Sequence, residues 1–309
     1  MNDIPQGIHH ITAIAGDPVR NLQFYRDVLG LRFVKKTVNF DDPFTYHFYF
    51  GDEVGSPGTI LTFFPWAGAR AGRMGAGLIE TVAFAVPTGS LAFWRERLTK
   101  AGVTVAEPAS AFGEPRLRFA DPDGLQLELV ESSASPNTRP WTAMVPARAA
   151  IRAFHGATER VREAGPTDGF VRDTLGFTFV SEDAGRRRYR AGENGAGVFD
   201  LVVDPSAPPA QGGRGTVHHI AWTTADTDAN NRWRERLSAS GHHVSPLMDR
   251  NYFRSIYFRE PGGVLFEFAT NGPGFAIDES AATLGTALKL PTQYEERRAQ
   301  IEAALPVLL

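Results

Sequence analysis

A chain of 309 residues, 42% hydrophobic and 22% charged, has room for two domains with full apolar cores. It contains no cysteine, which excludes disulfides, thiolate metal sites and thiol nucleophiles, so any metal must sit on His, Asp, Glu or water, as iron, manganese and zinc do. A net charge of −3 without a long basic run gives no reason to expect nucleic acid, and no apolar stretch or leader points to a membrane, so the cytoplasm is the default compartment.

The chain reads as four copies of one unit, each a strand, a helix and three more strands. In the first, a strand from His9 to Ala15 is followed by Asp17 as N-cap and Pro18 at the first helical position. Leu22, Phe24, Tyr25, Val28 and Leu29 form one apolar helix face, and Gly30 stops the helix. Strands Leu31 to Val38, Tyr46 to Phe50 and Thr59 to Phe64 follow, separated by turn-rich segments. The second unit has Ile79 to Val86, a helix from Ser90 to Ala101, a strand near Thr104, Arg116 to Ala120 and Leu125 to Val130. The third has Ala150 to Thr158, a helix around Gly169 to Leu175, then Phe177 to Ser181, Arg187 to Arg190 and Gly197 to Val203. The fourth has Thr216 to Thr224, a helix from Asp228 to Ser240, then His243 to Pro246, Ser255 to Arg259 and Val264 to Ala269.

The domain division that follows is residues 1–131 for the first two units, a Ser-, Pro- and Thr-rich linker at 132–147, residues 148–270 for the last two, and a tail at 271–309. In the tail, Leu284 to Leu290 and Pro291 to Ala304 are expected to add a capping segment and a short helix. Such units cannot bury a sheet alone. The expected fold is therefore α+β: four βαβββ units paired into curved mixed sheets, with helices outside and a cleft inside.

Aligned, the units place His10, Thr81, His155 and His219 at one opening-strand position, and Thr62, Glu128, Asp200 and Glu267 at one closing-strand position. If units one and four share a sheet, its inward set is His10, Thr62, His219 and Glu267. Two imidazoles and one carboxylate with open positions beside them form the pattern of non-haem iron sites. Alternation puts Glu267 on the face of Leu265, where burying a carboxylate costs several kcal/mol unless a cation compensates. The competing set, Glu128, His155 and Asp200, holds only one histidine. His47, His242 and His243 read as ordinary strand or loop histidines.

Three stretches carry a resemblance: Gly7-Ile-His-His-Ile-Thr12, Phe24-Tyr-Arg-Asp-Val-Leu-Gly-Leu-Arg-Phe-Val-Lys-Lys-Thr-Val-Asn-Phe-Asp-Asp42 and Tyr46-His-Phe-Tyr-Phe-Gly-Asp-Glu-Val-Gly-Ser-Pro-Gly-Thr59. They are similar to the vicinal-oxygen-chelate (glyoxalase/extradiol dioxygenase) superfamily, and within it to the ring-cleaving branch that includes chlorohydroquinone/hydroquinone 1,2-dioxygenases. The similarity runs through Gly262-Gly-Val-Leu-Phe-Glu267 and the tail. It implies a metal on His10, His219 and Glu267, and places His9, Thr12, His218, Arg250 and Tyr257 around the reacting groups. It further implies an Fe(II) cofactor, with Mn(II) or another divalent metal suited to the same donors, a small aromatic substrate together with O2, a place in aromatic compound degradation, and compatibility with a homo-oligomer.

Alternation argues that one histidine of each His-His pair points away from the cleft, and that Tyr257 points inward if Phe258 packs under a helix. Phe48, Phe64, Trp222 and Phe253 are candidates for an aromatic lining. The alternatives are a glyoxalase-like metal-dependent isomerase or transferase, which would want a fourth protein ligand that Thr62 does not supply, and a metal-free ligand-binding protein.

Overall fold

The computed structural model describes residues 4–133, 138–192 and 197–308. Unit one supplies β1 (Ile8–Ala15), α1 (Pro18–Gln23), β2 (Arg32–Val38), β3 (Tyr46–Gly51) and β4 (Ile60–Pro65); unit two supplies β5 (Leu78–Val86), α2 (Leu91–Lys100), β6 (Ala109–Ala111), β7 (Glu114–Ala120) and β8 (Gln126–Glu131). Unit three supplies β9 (Ala153–Val161), α3 (Gly165–Gly169), β10 (Thr178–Asp183), β11 (Arg186–Arg190) and β12 (Val198–Val203); unit four supplies β13 (Thr216–Thr224), α4 (Thr227–Ala239), β14 (Met248–Asp249), β15 (Arg254–Arg259) and β16 (Leu265–Thr270). A last helix, α5 (Arg298–Ala304), ends the tail.

The strands form two eight-stranded mixed sheets, ordered β14-β15-β16-β13-β1-β4-β3-β2 and β10-β11-β12-β9-β5-β8-β7-β6. Each unit pairs its opening strand in parallel with its closing strand, as β1 with β4 and β13 with β16. Antiparallel pairing of opening strands then joins units one and four through β1 and β13, and units two and three through β5 and β9. The division at residue 131 is thus one of sequence, since each sheet takes one unit from either side of it.

Period-two alternation sorts every closing strand into two faces. Leu61 and Phe63, Leu127 and Leu129, Phe199 and Leu201, and Phe266 and Phe268 are all buried in one apolar cluster. Aromatic contacts carry that cluster from sheet to sheet, with Phe199 of β12 at 5.8 Å from Trp222 of β13 and 5.9 Å from Phe266 of β16. The residues between them, Thr62, Glu128, Asp200 and Glu267, are buried and polar on the opposite, inner faces.

Local chemistry explains the element ends. Asp17 accepts from the Arg20 amide at 2.9 Å and Pro18 starts α1, which then widens into a π-helical turn over Phe24–Val28. Gly215 has φ +81°, and a Cβ there would meet the Asp123 carbonyl oxygen at 2.2 Å, so only glycine lets β13 start against the Asp121-Pro-Asp-Gly124 turn.

Three expectations change. The strand near Thr104 is only a bridge between Val105 and Phe119, with β6 formed later. His243 to Pro246 forms no strand: Pro246 has no N–H to give a ladder, Ser245 donates its amide to the Tyr257 carbonyl at 2.9 Å, and β14 starts at Met248. The third helix starts earlier, at Gly165, and continues as a π-helical turn over Phe170–Thr174. Part of the expected linker, residues 134–137, lies outside the described residues, as do residues 193–196 and the chain's first three and last residues. Among the described residues no helix is long and apolar enough to cross a membrane.

Candidate metal centre

The sheet made by units one and four brings His10, His219 and Glu267 together. The Nε2 atoms of His10 and His219 are 3.3 Å apart, and Glu267 Oε2 lies 3.2 Å from the first and 3.0 Å from the second. Three donors about 2.1 Å from one ion stand about 3.0 Å apart at right angles and about 3.4 Å apart at tetrahedral angles. The observed triangle falls between these limits. Among the described residues this is the one group of three such side chains close enough to share an ion.

Hydrogen bonding shows what points into the triangle. His10 Nδ1 lies 2.9 Å from His9 Nδ1, and His219 Nδ1 lies 2.7 Å from His218 Nδ1. The Thr270 backbone raises His9 as an acceptor for its Nε2–H would, and in that tautomer His9 Nδ1 accepts from His10. In that tautomer the Nε2 of His10 presents a lone pair to Glu267, and the same arrangement at His218 and His219 would turn a His219 lone pair there as well. Ser255 Oγ donates to Glu267 Oε1, while the buried Oε2 receives no hydrogen bond. Three lone-pair atoms facing one another at these distances repel unless a cation sits among them. The donor set fits a divalent metal.

The titration shifts agree. Burial alone would raise the Glu267 carboxyl, but positive charge in the triangle, carried by His10 and His219 when no ion is there, holds it well below the usual carboxylate range, and a metal ion would act in the same direction. Burial lowers His9 to about 3, helped by His10, and lowers His218 to about 3, helped by His219. Both stay neutral acceptors at ordinary pH.

Alternation would have turned one histidine of each pair away, yet both rings of each pair touch. The reason is a pair of β-bulges. His9 is the extra residue in β1 between the pairs Ile8 with Trp222 and His10 with Ala221, and His218 is the extra residue in β13 between Thr12 with His219 and Ala13 with Val217. Bulges recur in the second sheet at Glu80 and His155. This corrects the alignment: Ala221 faces Glu267 and Thr158 faces Asp200, so the counterpart of His219 is Gly156, and His155 matches His218. The competing set thus has no histidine at the ligand position. His155 instead meets Glu114 at 2.9 Å, and Arg116, Arg118 and Arg188 occupy Glu128 and Asp200.

A cavity of about 390 Å³ opens beside the triangle. Tyr257 and Arg250 form one wall, with Arg250 Nε donating to Tyr257 Oη at 3.1 Å and the guanidinium carbon 5.2 Å over the Tyr257 ring. Phe258 is buried in the core, so the inward direction of Tyr257 follows from alternation as expected. Burial, then Glu267, raise the Tyr257 phenol, which stays protonated. Phe64 and Phe253 line the cavity, with Phe253 4.9 Å from the His10 ring, whereas Phe48 and Trp222 belong to the core. Thr12 is buried beside the centre and bonded to Thr62 at 2.8 Å.

His47, read from sequence as an ordinary strand histidine, also lines this cavity. Its Nε2 lies 2.9 Å from Thr62 Oγ1 and its Nδ1 2.9 Å from Tyr49 Oη. Every residue of β3 is buried, so alternation carried no signal to separate its two faces.

The comparisons with known proteins agree with this geometry. The family model described as the glyoxalase/bleomycin resistance protein/dioxygenase superfamily matches residues 7–129 and 160–268. The chain belongs to that superfamily. Within it the chain is 48% identical over 301 residues, 97% of its length and 95% of the relative's, to MhqO of Bacillus subtilis, named as a ring-cleaving dioxygenase. It is 38% identical to the chlorohydroquinone/hydroquinone 1,2-dioxygenase of Sphingobium indicum, covering 94% of this chain and 92% of the relative. A crystal structure of a Bacillus subtilis protein described as a dioxygenase superposes with a TM-score of 0.95 at 46% identity, covering 99% of this chain and 98% of that one. Glyoxalase I of Zea mays, at 16% identity, 86% and 92% coverage and a TM-score of 0.64, shares the fold. The chain is an enzyme of the ring-cleaving dioxygenase branch.

Proposed function

We propose that this enzyme inserts O2 into a hydroquinone or a related dihydroxylated aromatic ring with Fe(II) held by His10, His219 and Glu267. The observation that carries the reading is a triangle of three buried donors with no fourth protein ligand among the described residues, Thr62 standing where a fourth carboxylate would be. The iron, when bound, supplies open positions for a ring oxygen and O2 together, which brings the two reactants side by side.

The chain's own residues do the rest. His9 and His218 fix the tautomers of the two ligand imidazoles through Nδ1, and Ser255 turns the second oxygen of Glu267 toward them. Tyr257, whose oxygen accepts from Arg250, keeps its own proton free to donate to a ring oxygen carrying negative charge. Phe64, Phe253 and Trp66 give the ring apolar walls and exclude water.

Loading the metal-free protein with Fe(II) under argon, then adding hydroquinone and air, is expected to give stoichiometric oxygen uptake. Turnover restored by Zn(II) alone, without oxygen consumption, would replace the reading with that of an isomerase.

A further inference from the structure

Two tyrosines face the cavity from equivalent places in the two halves of the sheet. Tyr257 stands opposite Glu267 across β15 and β16, and Tyr49 stands opposite Thr62 across β3 and β4. Two residues earlier in each strand, Ser255 holds Glu267 and His47 holds Thr62. What backs each phenol differs. Behind Tyr257 is the Arg250 guanidinium, which can only donate, so the Tyr257 proton is always left free to point onward.

Behind Tyr49 is an imidazole followed by two hydroxyls: Tyr49 Oη to His47 Nδ1 at 2.9 Å, His47 Nε2 to Thr62 Oγ1 at 2.9 Å, and Thr62 Oγ1 to Thr12 Oγ1 at 2.8 Å. Every member can both give and take, so the row has two complete orders of its hydrogens. In one, Tyr49 donates to Nδ1, Nε2–H donates to Thr62, and Thr62 donates to Thr12; the Tyr49 oxygen is then open to accept. In the other, Thr12 donates to Thr62, Thr62 to Nε2, and Nδ1–H to Tyr49, whose proton turns to the cavity. No group gains or loses charge between them. The rings are held by aromatic neighbours, with Phe275 of the tail 5.1 Å from Tyr49 and Phe64 4.4 Å from His47.

We propose that Tyr49 contacts the second hydroxyl of the bound ring and that His47 is its positioning residue, letting Tyr49 accept from that hydroxyl when it is neutral and donate to it when it is anionic. The inference rests on the proposed reading and adds a residue pair that distinguishes a dihydroxylated ring from one with a single hydroxyl.

The test uses cobalt-loaded protein under argon, titrated with hydroquinone and with phenol and followed by the visible absorption of the metal. Wild type is expected to bind hydroquinone about three- to tenfold more tightly than phenol, the range of one neutral hydrogen bond. Tyr49→Phe should bring that ratio close to one with phenol affinity and metal content unchanged. His47→Gln, which still gives and takes a hydrogen bond, should keep the ratio, and His47→Phe should lose it. A ratio unchanged in Tyr49→Phe, or an equal loss of both ligands, overturns the inference. Failure of both ligands to perturb the wild-type spectrum would instead overturn the reading on which it rests.

Discussion

The two inner faces of this molecule solve one problem in two ways. Each sheet carries buried carboxylate at its closing-strand position, Glu267 in one and Glu128 with Asp200 in the other. In the second sheet, guanidinium groups compensate: Arg116 and Arg118 each reach Glu128 at 2.8 Å, and Arg188 reaches Asp200 at 2.8 and 2.9 Å. In the first, no arginine among the described residues enters the triangle, and Glu267 Oε2 lies beside the Nε2 atoms of His10 and His219. One half carries its positive charge covalently, and the other leaves room for an exchangeable ion. A repeated scaffold therefore separates stability from chemistry by which cation it hires.

Matched substitutions break this comparison most strongly. Glu267→Gln should lose metal affinity at least about 100-fold, more than the removal of an outer partner costs, with the fold kept; elemental analysis and circular dichroism check it. Glu128→Gln should do the reverse, leaving metal content intact while costing up to about 3 kcal/mol in urea unfolding, because the buried Arg116 keeps only its longer contact to Glu114 at 3.3 Å for counter-charge. Next is Thr62→Glu, which completes the pseudo-two-fold set with a fourth carboxylate. The variant should hold metal at least as tightly and lose oxygen uptake about 100-fold or more, because a ligand position is filled. His9→Ala leaves the His10 Nδ1–H without its acceptor and should weaken metal binding about 10- to 100-fold, read by competition with a chelator.

The smallest effect sharpens the contrast through pH. His9 and His218 are lowered to about 3, and burial lowers His47 as well, so each is neutral in the folded state where the unfolded chain, with an imidazole near 6.5, is protonated. Stability of the metal-free protein is then fully present above about pH 6.5 and falls as pH drops toward 3, by up to about 1.4 kcal/mol per pH unit for each imidazole. Urea midpoints across that range should show the slope, and His47→Phe should remove about one proton from it.

Much of this could be seen in the residues alone, for definite reasons. The glycine-led His-His strands repeat because both openings need φ above zero, +82° at Gly7 and +81° at Gly215, and each carries one histidine of the candidate metal centre. A carboxylate between Phe266 and Phe268 stands out because period-two alternation leaves it no apolar role. The bulges could not be seen, since an extra residue in a strand has no compositional mark, and that one-residue slip moved His155 onto a ligand position that Gly156 occupies. His47 and Tyr49 were hidden by a strand buried on both faces. The support that Phe275 gives Tyr49 comes from a tail that repeats nothing.

The first sheet is closed at its middle by β1 and β13, which bring His10 and His219 together across 209 positions of chain. During synthesis the early half holds one donor alone, so an ion cannot template its folding. An ion in this triangle would be captured only after the last repeat has emerged and found the first, so metal retention would report that both ends of the polypeptide have joined.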